Sequence, residues 1–118
     1  DELTQISRDQ TLAQVLVDDG VFSRTEASKS PLSDVLSSAI GGSETTPVVT
    51  GIDSNWNYVH LLCSDGLTKH VEDEQIAERL RSMTSAKQVC EDLLQDALDD
   101  GGSDNITIIV TRATKNER

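Results

Sequence analysis

Two short acidic segments carry the residue types best suited to chemistry in this chain. The first is Ser64-Asp65-Gly66, directly after the apolar run Leu61-Leu62-Cys63. The second is Asp99-Asp100-Gly101-Gly102-Ser103-Asp104-Asn105, directly before the β-branched run Ile106–Val110. Each puts an aspartate beside glycine at the edge of an apolar strand, and glycine lets backbone approach closely. If the two strands are neighbours with these ends together, Asp65 and Asp104 converge. Two close carboxylates repel, and a hard cation relieves the repulsion. Mg2+ and Mn2+ take oxygen ligands of this kind in octahedral sites. Plain turn chemistry fits the same residues, since Asp-Gly is a common turn pair and Asp104 suits an Asx turn. On local chemistry alone the turn reading leads, and both stay open. An EF-hand calcium loop does not fit, because Gly101 and Gly102 fall where that spacing needs carboxylates.

The elements that must position these segments are legible from their caps and periods. Thr11 to Gln14 reads as a capping box, with Leu12, Val15 and Leu16 on one face and Gly20 closing the helix. Ser23 to Glu26 is a second box, opening a short helix that must end before Pro31. Leu32, Val35, Leu36, Ala39 and Ile40 make a brief apolar stripe, and Gly41 to Pro47 reads as a loop. Val48–Ile52 and Tyr58–Cys63 are expected as a hairpin across Asp53-Ser54-Asn55. Bulk on both sides of the second strand predicts that it is covered on both faces. A short amphipathic helix follows, through Ile76, Leu80 and Met83, after acidic residues that suit the positive end of its dipole. The clearest period is Ala86, Val89, Cys90, Leu93, Leu94, Ala97 and Leu98, capped by Ser85 and closed by Gly101. Asn105–Thr111 then reads as a strand. The tail after Arg112 is expected to fray.

Composition limits the partners. The 118 residues hold 21 Asp and Glu against 10 Lys and Arg, a formal charge of −11. That balance disfavours nucleic acid, whose binding releases counterions through Lys and Arg, and it disfavours anionic membranes. No apolar run approaches the roughly 18 residues of a bilayer span. Phe22, Trp56 and Tyr58 are the only aromatic residues, so the core must be aliphatic and thin, as in part of a larger fold. Asp1-Glu2-Leu3 is neither a signal peptide nor an initiator methionine, so an upstream segment is expected. Cys63 and Cys90 read as two buried thiols, with a disulfide as the alternative. No zinc spacing is present, and a reduced, cytoplasmic setting fits.

Taken in order, Leu61-Leu62-Cys63-Ser64-Asp65-Gly66-Leu67 and Gly101-Gly102-Ser103-Asp104-Asn105-Ile106-Thr107 resemble the metal-dependent serine/threonine protein phosphatases of the PP2C (PPM) family. Leu3–Asp9 is similar to that family's "LT-D-S" strand. The stretch from Leu16 to Ala27 is similar to the helical flap of its small bacterial members, and Val35–Gly41 to their "VLTRALG" segment. The resemblance covers nearly the whole chain and corresponds to the C-terminal half of the catalytic domain. It implies an α+β fold, antiparallel strands with flanking helices, half of an α-β-β-α sandwich. Residues 10–47 would be the flap-like segment, and residues 48–112 the strands and helices carrying both motifs.

The resemblance further implies that Asp65 and Asp104 are ligands of a binuclear Mn2+ or Mg2+ centre whose bridging water attacks phosphorus in a phosphoprotein substrate. Gly66 and Asn105 would be supporting residues, with Asn105 orienting Asp104. The family's N-terminal Glu-Asp pair and "DGHGG" segment have no counterpart here, so no catalytic residue is assigned within the chain, and the chain alone is expected to be inactive. Lys69 stands where many members have an aspartate that helps hold a third metal. Lys69 and His70 are the candidates for substrate-proximal residues, although a solvated lysine and an exposed loop histidine are the bland readings. His60 reads as packed within its strand, and Arg24 and Lys29 as surface charge. The implied function is part of a bacterial-type signalling phosphatase. Two alternatives are a non-catalytic binding or regulatory module, and a self-associating chain pairing through an open sheet edge.

Overall fold

A computed structural model describes residues 2–43, 47–52 and 55–115. They fall into two compact units, residues 5–52 and residues 53–118 together with the first four.

In the first unit, α1 spans Leu12–Asp18 and α2 spans Arg24–Lys29. The Thr11 hydroxyl accepts from the Gln14 amide and starts α1. At its end, the Gly20 and Val21 amides donate to Val17 and Leu16, a Schellman closure. Ser23 and Glu26 form the full reciprocal box at α2. After α2 the chain makes only a 3-10 turn over Pro31–Asp34. The apolar stripe continuing to Ile40 is therefore not helical. Leu36 instead makes an isolated bridge with Thr11, flanked by bonds from Leu12 N to Val35 O and Ser37 N to Gln10 O. Ile40 is fully exposed. Residues 3–9 form no strand: among the described residues no ladder partner pairs with them, and a strand exists only through its partner. Ala13 and Ala27 are the buried apolar residues of this unit.

The second unit holds β1 (Val59–Cys63), the helical turn α3 (Asp65–Thr68), α4 (Asp73–Arg81), α5 (Ala86–Asp99) and β2 (Ile108–Arg112). The expected hairpin of residues 48–52 with β1 is corrected. Residues 48–52 form no strand, and β1 pairs antiparallel with β2, from Val59↔Arg112 to Cys63↔Ile108. The turn residues at Asn55–Tyr58 lead into β1, with Asn57 at φ 70° and its amide donating to Ala113 O. The chain is α+β, with helices packed on one face of this sheet. Val89, Leu93 and Ala97 of α5 are fully buried against Leu67, Val71, Ile76 and Val110. Burying a Leu or Val of this kind is worth about 1.5–3 kcal/mol.

The other sheet face is open. Leu62 and Ile109, directly opposed in the ladder, are 62% and 51% exposed. The expectation of a strand covered on both faces is thus corrected: among the described residues one layer covers it. Cys63 at the end of β1 is exposed, Cys90 is half-buried, and both are free thiols, so neither the buried pair nor the disulfide holds.

Candidate functional site

Antiparallel pairing decides where the acidic segments go. Cys63, the last residue of β1, pairs with Ile108, the first of β2. Asp65 leaves the sheet at the same end at which Asp104 approaches it. The Ser64 hydroxyl straps the two connections together: it donates to the Asn105 carbonyl (3.2 Å) and accepts from the Thr107 amide (3.0 Å). The Ser64 amide donates to Thr107 O at 2.9 Å. Gly66 is required by this closeness, since a Cβ built on it would run into the Asn105 carbonyl oxygen and reach 3.0 Å from its carbon.

The two aspartates then share one cation. Lys69 Nζ lies 3.2 Å from Asp65 Oδ2 and 3.9 Å from Asp104 Oδ2. Lys69 follows α3 directly, one turn beyond Asp65, so its stem rises on the same side. Both carboxylates are exposed enough to accept a further ligand, at 65% and 46% for their side chains. Asp104 is braced by the Asn105 backbone amide, which donates to its Oδ1 at 2.7 Å. Asn105 thus supports Asp104 through its main chain, and its carbonyl carries the Ser64 strap.

His70 is not the exposed loop histidine of the bland reading. Its side chain is 12% exposed and ties the end of α3 to the loop before Asp104. The Ser103 amide donates to Nε2 at 3.1 Å, so the ring proton sits on Nδ1 and donates to Asp100 Oδ2 at 3.0 Å. The Ser103 hydroxyl lies 2.7 Å from the same Nε2. The loop itself begins where α5 closes at Gly101, with φ +122° and its amide donating to Leu98 O. Sequence reasoning missed Ser64, Ser103 and Asp100 as members of this framework. Ser64 carried a signal, as a serine immediately before an Asp-Gly turn is a natural N-cap. His60 is half-buried in β1, and Arg24 is exposed on α2.

The donor set suits a divalent cation in kind but not in number. Two carboxylates reaching one ammonium offer hard oxygen ligands, the chemistry Mn2+ or Mg2+ needs. Among the described residues no group of three or more His, Cys, Asp or Glu side chains gathers to hold a metal. Two carboxylates alone fall short of the octahedral set such an ion takes.

No family model matches the chain. It is 38% identical over 109 residues to the serine/threonine protein phosphatase PstP of Mycobacterium tuberculosis, covering 92% of this chain and 21% of that protein. It is 30% identical over 111 residues to the serine/threonine phosphatase stp of Listeria innocua, covering 93% and 44%. The crystal structure of M. tuberculosis PstP/Ppp superposes with a TM-score of 0.89 at 37% identity, over 97% of this chain and 48% of that one. The chain is a homologue of PP2C-type (PPM) serine/threonine phosphatases. It spans between 21% and 44% of the length of the curated relatives it matches. The PstP catalytic domain solved in complex with two manganese ions superposes with a TM-score of 0.82 at 36% identity, over 97% of this chain and 46% of that one. The chain therefore matches these structures over almost all of its own length.

Proposed function

We propose that this chain forms part of a PP2C-type serine/threonine phosphatase domain and supplies Asp65 and Asp104 to its metal centre. The observation that carries the reading is the convergence of the two carboxylates, at one sheet end, on a single cation. Asp65 and Asp104 would help hold Mn2+ or Mg2+, which would supply a water of lowered pKa and screening of the phosphate charge of phosphoserine or phosphothreonine. The chain's own residues do the positioning. Ser64 and Gly66 hold the two loops together, Asn105 braces Asp104, and His70 fixes the loop that carries it. The remaining ligands come from sequence outside these 118 residues, so the chain alone does not turn over. Residues 10–47 act as the flap-like segment, a reading supported by the separate compact unit of residues 5–52. The open Leu62–Ile109 face belongs against the rest of the sandwich, and self-association through an open sheet edge is the competing reading.

The proposed setting is the cytoplasm of a bacterium, in phosphoprotein signalling. Two free thiols fit a reducing compartment, and no described helix is long and apolar enough to cross a membrane. The test is phosphopeptide hydrolysis by the full-length polypeptide with Mn2+. Chelator and either Asp65→Asn or Asp104→Asn should abolish it. A folded full-length protein that stays inactive with Mn2+ would favour a second reading, a non-catalytic binding or regulatory module. Lys69 is the observation on that side, because an ammonium already neutralises the acidic pair.

A further inference from the structure

Lys69 is not a bystander at the acidic pair. Its ammonium sits against the Oδ2 atoms of both aspartates, the oxygens a divalent ion would also need. The side chain is 40% exposed, so it has room to leave. Its backbone is fixed at the end of α3, where the Lys69 amide donates to Asp65 O at 2.9 Å. A divalent ion entering between the carboxylates meets a positive charge within contact distance of its ligands. The ion must displace the ammonium or share the oxygens against repulsion.

We infer that Lys69 is a built-in competitor for the divalent cation at Asp65 and Asp104, so that metal loading proceeds by exchange of its ammonium out of the site. The inference rests on the metal-site reading and concerns how that site is regulated. Any process that removes the lysine charge would tighten metal binding without adding a ligand.

The experiment is calorimetric titration of Mn2+ into the full-length polypeptide, with thermal melts confirming folding of each variant. Lys69→Met and Lys69→Gln should bind Mn2+ about five- to tenfold more tightly than the unmodified protein, the worth of one or two exposed ion pairs. Lys69→Arg, which keeps the charge, should stay near the starting affinity. The gain should vanish when Asp65→Asn is combined with Lys69→Met. If Asp65→Asn and Asp104→Asn weaken Mn2+ binding while both neutral variants match the unmodified protein, the competition is overturned and the metal site stands. If neither aspartate variant changes Mn2+ binding, the metal-site reading falls and the competition falls with it.

Discussion

His70 Nδ1 donates to Asp100 Oδ2 across 3.0 Å, joining the end of α3 to the loop that follows α5. The bond links two segments thirty residues apart in sequence. With the Ser103 amide on the other ring nitrogen, the histidine is a two-sided clamp on the approach to Asp104. His70→Ala should cost about 1–2 kcal/mol, the worth of two net hydrogen bonds. Hydrogen exchange should rise at residues 101–105, whereas the centre of α5 should keep its protection. Uniform loss of protection throughout the second unit would refute the local clamp.

Gly66→Ala tests the closeness of the two acidic loops. The added methyl has the Asn105 main chain, not a movable side chain, in its way. The loops must part, at a cost of about 1–3 kcal/mol as for other overpacked sites. Urea denaturation should show the loss, and an unchanged midpoint would mean that the loops are not in contact.

Leu93→Ala probes the core beneath them. Leu93 is fully buried within the Leu67–Val89–Val110 cluster. Truncation should cost about 2–5 kcal/mol. The same change at Leu94, one residue along and 39% exposed, should cost far less.

Partial desolvation at the end of β1 raises the Cys63 thiol above its ordinary value of 9.0. Well below pH 9.0 the thiol is neutral in folded and unfolded chains alike, and its contribution to stability is intact. As pH rises further the unfolded chain ionises first, so stability falls until the folded thiol also ionises. Cys63→Ala should flatten this alkaline decline in melts taken from neutral to high pH. Alkylation of Cys63 at pH 8 should be slower than that of a free cysteine.

Much of this fold is legible in the sequence. The caps at Thr11, Ser23 and Ser85 are local interactions over three residues, and each opens the helix expected of it. The α5 stripe buried Val89, Leu93 and Ala97 as its spacing required. Strand partners were harder, because a ladder is long-range. Asp53-Ser54-Asn55 reads as a hairpin turn, yet the strand that meets β1 lies beyond α3, α4 and α5. The stripe from Leu32 to Ile40 failed for a related reason: Leu36 was taken up by a bridge to Thr11. At the site, convergence of Asp65 and Asp104 followed once opposed strand ends were assumed. The bridging role of Lys69 and the clamp at His70 depend on side-chain directions that spacing alone does not carry.

The register of β1 against β2 also sets when the acidic pair can exist during synthesis. Asp65 emerges early, and nothing opposes its carboxylate until Ile108 has been made and docked beside Cys63. Such distant pairing is slow, since a long loop must close before any ladder bond forms. A ribosome paused before residue 104 holds a chain with the first aspartate made and no second one to meet it. Convergence of Asp65 and Asp104 is thereby a report that β2 has arrived.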